Sequence, residues 1–476
     1  MSPAAMSSPQ ALQALWQLAA LPDGALGSIS LTGPPAVVPS GFAVTTAVQA
    51  SLGAAALAAA EVWHRRQADG ARQQVSIDST HAVLDSQAWF SIDGQTPNIW
   101  EKFSGLYPCG GQAHPGWVRI HANFDHHRDG ALRLLDLPTD GSAERADVAR
   151  ALASWRAEDF ETAAAEAGLV VSALRSFEQW HAHAQARALR EQPVLRLTRL
   201  DDGAPALPWA PMNPDHRPLT GVRVLDLTRI LAGPVAACTL AAYGAEVLMV
   251  NSPQLPNISA MAGLSRGKRS CLLDLDLPAD AATLHQLVQG AQVFLQGYRP
   301  GGLGGRGFSA QALARLRPGI VCASLTAYGD QGPWAMRRGF DSLVQTATGF
   351  NHDEAAAFGQ TEPRALPFQA LDYSAGYLLA FGIQAALLRQ ASEGGSWQVQ
   401  VSLAGVGQWL RGLGRPGWPE GGMAAKRPDI QPFVEQADSG WGRLSAVRHA
   451  AQFSRTPAGW DRPSVKPGTD AASWPG

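Results

Sequence analysis

The stretch MRRGFDSLVQTATGF, residues 336–350, sets two arginines, a glycine and an aromatic residue ahead of one carboxylate, Asp341, and then runs on with almost no charge. A carboxylate there has two uses. It can cap the helix SLVQTATGF by satisfying backbone donors at its start, or it can act as a nucleophile that splits one difficult acyl exchange into easier steps. Groups that would accompany a nucleophile lie on upstream loops. TRILAGP (228–234) leads into a helix whose first N–H groups are free for a phosphate or carboxylate. SRGKRS (265–270) packs three cations into four positions, which suits a solvated turn or a phosphate clamp equally. QGYRPGGLGGRGF (296–308) carries Tyr298, Arg299 and Arg306 in a glycine-rich loop that allows a ligand close to the backbone. Basic groups on three neighbouring loops favour a polyphosphate ligand, although the dinucleotide fingerprint GxGxxG is absent.

The elements that must hold these loops are legible from periodicity. VRVLDL, EVLMV, SCLLDL, VFLQG and IVCASL read as short apolar strands, separated by the helical patterns VAACTLAAY, DAATLHQLVQGA and SAQALARLR, the last with Ser309 placed to cap it. Gly244 stops the first of these helices. Regular βαβ alternation predicts an α/β fold built on a doubly wound parallel sheet, Rossmann-like, with ligands beyond the carboxyl ends of the strands. Residues 200–221 cluster Pro, Gly and Asp without periodicity and read as a linker. Upstream of it, GWVRIHANFDHHRDGALRLL reads as strand then helix, and SWRAEDFETAAAEAGLVVSALRSFEQWHAH as helix, strand, helix, together a smaller α/β domain.

An internal echo links the two sides of the linker. HRRQADGARQQVSIDSTHAVL (64–84) and LLRQASEGGSWQVQVSLAGVGQWL (387–410) both read as the end of an Ala-rich helix, Arg-Gln, a turn with Gly, a Gln-Val strand and a second apolar helix. Either a large domain was duplicated and trimmed, or the likeness is chance. The units are unequal: no acidic residue falls between Asp23 and Glu61, whereas ALDYSAGYLL brings Asp372 into the second. Carboxylate chemistry therefore belongs to the later unit.

Composition narrows the function classes. The chain has 476 residues with 38 Lys+Arg against 40 Asp+Glu, a net charge of −2, and no basic run dense enough to follow a nucleic-acid backbone. Charged residues make up 16%, below the roughly 25% of an ordinary globular chain, so broad buried surfaces are expected. The four cysteines stand far apart, which argues against a zinc site or a disulfide framework and fits a reducing compartment. No Lys or Arg precedes Arg65, so the basic n-region of a secretory signal is missing and a cytoplasmic protein is expected. The apolar stretch 42–63 is mostly Ala with Thr, Gln and Ser interspersed, which predicts a packed helix and no membrane partner. The twelve histidines, several in HANFDHH, are explained by a mixed strand-to-helix surface better than by a metal site. Abundant tryptophan permits an apolar acyl pocket.

Taken in order, GVRVLDLTRILAGP, RGKRS, QGYRPG, SLTAYGDQGPWAMRRGFDSLVQTATGF, QVQVSL and FSRTPAGWDRPSVKPGTD closely resemble the family III CoA-transferases, which include formyl-CoA transferase, carnitine-type CoA-transferases and alpha-methylacyl-CoA racemase. The resemblance covers most of residues 221–470 and implies a fused, trimmed two-copy arrangement. Residues 1–215 would hold a partial first copy, with the closing βαβ segment and the small domain. Residues 216–476 would form the CoA-binding Rossmann-like domain that carries the nucleophile. It implies that Asp341, after Gly-aromatic, attacks an acyl-CoA and that CoA then passes between carboxylic acids through mixed anhydrides and an aspartyl-CoA thioester. It also implies CoA contacts from Arg229, Leu231, Ala232, Lys268, Gln296, Tyr298, Arg299 and Arg306, with coenzyme A as acyl-CoA substrate and no metal. Gly110 and Gly111 could supply oxyanion donors. In the racemase branch a histidine stands where Phe340 sits and works with an aspartate matching Asp372; Phe340 cannot be a base, which disfavours racemisation and leaves Asp372 an auxiliary or structural role. Met249 and Asn251 replace a lysine and a glutamate usual in the family. Because family members form interlocked dimers, the fused chain is expected either to form a homodimer or to act as an intramolecular pseudo-dimer. The reading from another class is a CoA-binding paralogue that does no chemistry and serves as a regulatory or partner module.

Overall fold

The computed structural model describes residues 5–201, 203–416 and 428–475; Asp202 of the expected linker lies outside them. Seven strands form the main sheet: β1 (Leu195–Arg199), β2 (Arg223–Leu227), β3 (Glu246–Asn251), β4 (Lys268–Leu272), β5 (Val293–Gln296), β6 (Val321–Thr326) and β7 (Trp397–Ser402). Their order is β4-β3-β2-β5-β6-β7-β1. All neighbours run parallel except β1, which pairs antiparallel with β7 at the edge. This is the α/β doubly wound order expected from the alternation, and it reverses direction between β2 and β5, where the crevice for a ligand opens beyond the strand ends.

The central strands β2, β3 and β5 bury both faces, which is why these segments read as continuous apolar runs. Val224, Val247, Val293 and Val321 point into one core, under helices α1 (Val44–Arg65), α2 (Ala232–Ala242) and α6 (Ala370–Glu393). Leu225, Leu248, Phe294 and Cys322 point into the other, under α3 (Pro278–Gln289) and α4 (Ala310–Leu316). Ser309 caps α4 by accepting from the Ala312 N–H at 3.2 Å, as its position predicts. Helix α1, from the stretch 42–63 that invites a membrane reading, is buried from Val44 to Trp63 on every side and packs along α6. Among the described helices α6 is long and apolar enough to cross a membrane, and its apolar window is wholly buried inside the protein. Residues on both sides of position 215 thus share one core.

The echo is structural as well. Helix α1 is followed by a strand, Val75–Asp78, and a helix, Ser79–Asp85; α6 is followed by β7 and a helix, Leu403–Gly412. Both second helices are capped from the strand's last residue, Asp78 to the His81 N–H at 3.0 Å and Ser402 to the Gly405 N–H at 3.1 Å.

A smaller lobe has its own core. Its three-stranded antiparallel sheet joins Gly105–Cys109, Gly116–Ile120 and Val171–Ala173. Val118 and Ile120 face the helices Asp125–Leu134, Arg145–Leu152 and Ala157–Glu166. The opposite face of that sheet lies on α5 (Asp341–Ala347), so the lobe closes over the start of the helix that carries the candidate nucleophile.

Helix α6 also touches α2 closely, and Gly376 makes this possible: a Cβ there would stand 2.6 Å from the Ala232 carbonyl oxygen and 2.7 Å from Val235. In an exposed helix, Gly→Ala would stabilise by about 1 kcal/mol. Here Gly376→Ala is expected to destabilise by about 1–3 kcal/mol, because the close-packed helices must move apart; urea unfolding of the two proteins measures the sign directly.

Candidate active site

The carboxyl ends of β2 and β5 frame a cleft of about 380 Å³ at the point where the strand order reverses. A drug-sized ligand needs a volume of this order. The β2 loop contributes Arg229 and Ile230, the β5 loop Gly297, Tyr298, Arg299 and Pro300, and the chain before α5 contributes Arg337, Arg338, Gly339 and Phe340. Phe124, His126 and His127 of the small lobe form the facing wall. Four guanidinium groups around one crevice suit a pyrophosphate-bearing tail.

Local geometry explains how the cations are held. Arg229 donates to the Pro256 carbonyl and lies 5.8 Å above the Phe124 ring, with its Nε buried and unpartnered. Ile230 adopts φ 76°, a left-handed conformation that costs a β-branched residue of order 1–3 kcal/mol. That strained turn lets β2 end and α2 begin while Arg229 faces the cleft. Arg338 donates to the Gly168 carbonyl; burial and the neighbouring Arg299 lower its pKa. Burial pushes the Tyr298 phenol up, so its hydroxyl stays a neutral donor. Gln296 accepts from the Tyr298 N–H at 2.7 Å and faces an adjoining cavity of about 250 Å³ between β5, β6 and β7.

Asp341 lies directly behind the cleft wall. It is the first residue of α5, 1% exposed, with Phe340 between it and the cleft. Its Oδ1 accepts from Gln345 Nε2 one turn on, and its Oδ2 accepts from the Asp372 backbone N–H at 2.9 Å. Gln345 is itself fixed, because its Oε1 accepts from the Leu366 N–H at 2.9 Å and from Asn351 Nδ2 at 3.2 Å. Burial raises the Asp341 pKa to about 6, while the Asp372 N–H, Gln345 and the charge of Arg119 hold it down. Burial and the Asp341 charge push Asp372 well above the carboxylate range. Near neutral pH the pair therefore holds one proton, on Asp372, and Asp341 is the ionised member. The Asp372 contribution sensed here is its backbone N–H.

Of the residues expected from the sequence, Arg229, Tyr298 and Arg299 come together in the cleft, with Asp341 behind its wall and Gln296 alongside. Others do not reach it. Lys268 is the first residue of β4 and fully buried; its Nζ donates to Asp226 Oδ2 at 3.0 Å and to the Pro234 carbonyl at 3.1 Å. It is a strut that ties β4 to the loop after β2 and not a phosphate clamp. Leu231 and Ala232 are buried in the core at the start of α2. Arg306 is engaged by Asp276 at 2.7 Å and the Leu275 carbonyl at 2.8 Å. Gly110 has φ 75° and its N–H already donates to the Leu152 carbonyl at 3.1 Å. With Gly111 it sits at the far end of the Gly105–Cys109 strand from Ile120, the partner of Gly105. At about 3.4 Å per residue that is roughly 17 Å from the end beside Phe340, so these glycines do not supply the oxyanion donors.

The small lobe contributes residues that the motif reading passed over. His121 stacks on Phe340 with ring centroids 4.0 Å apart and planes at 19°, and burial together with Arg119 pushes its pKa down to about 3, so the ring is neutral. Trp100 meets His121 edge-on at 6.0 Å. The signal was present in WVRIH, where strand alternation puts Arg119 and His121 on the face opposite Val118 and Ile120.

The CoA-transferase family III profile matches residues 219–413, which spans β2 to the helix after β7. An acyl-CoA transferase of Gibberella moniliformis is 32% identical over 400 residues, covering 76% of this chain and 69% of that protein. An acetyl-coenzyme A transferase of Hypoxylon pulicicidum is 35% identical over 211 residues, covering 43% of this chain and 35% of that protein. A succinate–glutarate CoA-transferase of Agrobacterium fabrum is 29% identical over 262 residues, covering 50% of this chain and 65% of that protein. The chain belongs to the family III CoA-transferases, enzymes of CoA transfer.

The buried pair gives a test of the strut. Lys268→Ala leaves the Asp226 carboxylate unpaired in the core, which costs about 3–5 kcal/mol. The expected result is a large loss in denaturant midpoint, with unaltered CoA affinity for the fraction that remains folded; a selective loss of CoA affinity at full stability would return Lys268 to the ligand.

Proposed function

We propose that the protein moves CoA between carboxylic acids, with Asp341 as the covalent carrier. The observation that carries this reading is a buried, ionisable carboxylate held by two donors against the wall of an arginine-lined cleft at the switch point of the sheet. The cleft arginines, Arg229, Arg299, Arg337 and Arg338, would neutralise the phosphates of the CoA tail. Its thioester end would pass Gly339 and Phe340 toward Asp341. Phe340 lines the cleft immediately before Asp341, and its stack on His121 is a contact of the kind that side-chain rotation can break and remake.

In this scheme an Asp341 oxygen attacks the thioester carbonyl carbon, the C–S bond breaks, and CoA leaves as thiolate, giving a mixed anhydride. The thiolate attacks the aspartyl carbonyl and the first acid leaves as carboxylate, giving an aspartyl-CoA thioester. The acceptor carboxylate then attacks that thioester, thiolate leaves, and a second mixed anhydride forms. Thiolate attack on the acceptor's acyl carbon releases the new acyl-CoA and restores Asp341. Charge on the leaving thiolate and on each tetrahedral oxygen is opposed by the arginines and by the N–H donors at the heads of α5 and α6.

The same reading makes the chain its own pseudo-dimer. The two similar units pack through α1 and α6, and the small lobe of the first covers the nucleophile of the second.

Asp341→Ala and Asp341→Asn are expected to abolish acyl-CoA turnover by at least ~10⁴-fold while leaving CoA affinity in place. Acyl-CoA followed by hydroxylamine should modify the Asp341 peptide in the wild type only; CoA binding with no such adduct and no turnover is the outcome of a binding module.

Because the nucleophile must be ionised, activity should fall as pH drops through about 6, where Asp341 takes up its proton. Asp372→Asn should keep that acid limb in place, since Asp372 is protonated throughout the window and only its backbone N–H serves Asp341. A limb shifted toward pH 4 in this variant would mean that the two carboxyls share their proton the other way round.

A further inference from the structure

His127 belongs to HANFDHH, the histidine-rich run that the transfer chemistry proposed above leaves unused. It sits in the first turn of the small-lobe helix Asp125–Leu134, and it lines the cleft together with Phe340, Arg229 and Arg338. Only 5% of it is exposed. Its Nδ1 is closed off from solvent and has no hydrogen-bond partner. Nε2 bonds to no described residue either, which makes it the nitrogen presented to the cleft. The buried His81 and His449, by contrast, each set one ring nitrogen against a backbone group, the Arg448 carbonyl at 3.0 Å and the Ala451 N–H at 3.2 Å. An imidazole unpaired on both edges carries a desolvation cost that a ligand atom can offset.

Its surroundings describe that atom. Burial, and then His126, Arg338 and Arg229, push the His127 pKa down to about 4, so the ring is neutral near neutral pH. The positive end of its own helix acts in the same direction. A neutral imidazole holds one proton. On Nδ1 that proton would be a buried donor without an acceptor, whereas on Nε2 it faces the space that a ligand fills. The ring of Phe340, the residue before Asp341, meets the imidazole edge-on with centroids 6.3 Å apart. Phosphates have the four guanidinium groups of the cleft to bind. A neutral donor set beside Phe340 suits an oxygen that is uncharged in the bound substrate and gains charge as the reaction proceeds.

We infer that His127 is a catalytic residue that donates from Nε2 to the thioester carbonyl oxygen of acyl-CoA and to the oxyanion that replaces it. This rests on the transferase reading above and deepens it by naming an oxyanion donor from the small lobe, the task that Gly110 and Gly111 do not meet. The hydrogen bond forms as the thioester enters and strengthens while the carbonyl carbon is tetrahedral. It relaxes when the C–S bond breaks and C=O returns; no proton changes hands. The lobe is then part of the chemistry and not only its cover.

The test uses the full chain as wild type, His127→Ala and His127→Gln, with acetyl-CoA, succinyl-CoA and hexanoyl-CoA, each exchanging with its own labelled acid. For the pair that the wild type exchanges fastest, His127→Ala should lower kcat by at least ~100-fold. KM and the Kd of CoA should stay within about threefold of wild type, because the bond matters most in the transition state. His127→Gln, which returns an amide donor, should recover part of the loss. A second readout needs no turnover: the infrared C=O band of carbonyl-labelled acyl-CoA should stand at lower frequency when bound to Asp341→Ala than when bound to Asp341→Ala/His127→Ala. An unchanged kcat, a loss confined to KM or shared by CoA affinity, or the same C=O band in both proteins overturns the assignment. If the wild type still exchanges and forms the Asp341 adduct, the transferase reading survives that result. No exchange and no adduct with any of the three thioesters removes both.

Discussion

The site depends on a balance struck at one buried carboxylate. Removing Asp341 from water disfavours its charge and raises its pKa. Two donors oppose that: the Gln345 amide, one turn along the same helix, and the Asp372 N–H, from the head of another. Neither donor is free to drift. Gln345 is pinned by Leu366 and Asn351, and the Asp372 N–H is free because the first N–H groups of any helix lack an intrahelical partner. The result is an anion with little hydration to lose, held at two points. A carboxylate in water is a poor nucleophile largely because its shell must be stripped; for the nucleophile proposed above, fixed dipoles would replace the shell in advance.

The rest of the fold sets where those two helix heads and the arginine loops meet. A parallel sheet sends every strand's following loop to one end, and the reversal between β2 and β5 parts two of those loops into a cleft. The β2 loop is held by unusual means: Ile230 in a left-handed turn, and the Asp226–Lys268 pair beneath it, with Asp226 also accepting from the Thr228 N–H at 2.9 Å. The strain and the buried charges each cost stability in isolation, and both are tolerated where they aim Arg229 at the cleft. Gly376 lets α6, which carries Asp372, lie directly against the start of α2 behind the β2 loop.

What the sequence disclosed follows from which forces are local. The central strands of the main sheet were legible because burial on both faces leaves continuous apolar runs, and Ser309 because a cap bonds three residues along its own chain. Strand β1 was not read: LRLTR carries charge, as an unburied edge strand does, and pairing on one side only erases the apolar signature. That Arg229, Tyr298 and Arg299 share one crevice was legible, since they stand directly after strands whose loops the parallel sheet sends to one end. Lys268 misled because a cation beside a turn looks the same whether it faces solvent or a carboxylate on another strand; only the fold brings Asp226 beneath it. Gly110 and Gly111 misled for a similar reason, a glycine turn being visible where its position along the hairpin is not. Arg119 and His121 were within reach of alternation, but what they face is a tertiary fact.

The unequal copies also have a physical rationale. On the proposed pseudo-dimer reading, the lobe that covers α5 comes from the first unit and α5 itself from the second. In that reading a single lobe and a single nucleophile-bearing unit are enough within one chain. The described segments match that division: from the first unit, α1 and its strand and helix fill the core against α6, and the lobe closes on α5. The short sheet of Val434–Ser439, Gly442–Val447 and Phe90–Ile92 lies where the two units' residues pair with each other. On the transferase reading proposed above, chemistry is asked of one site only, so the donors of Asp341 and the strut beneath Arg229 serve that site, while the first unit answers to the demands of a core.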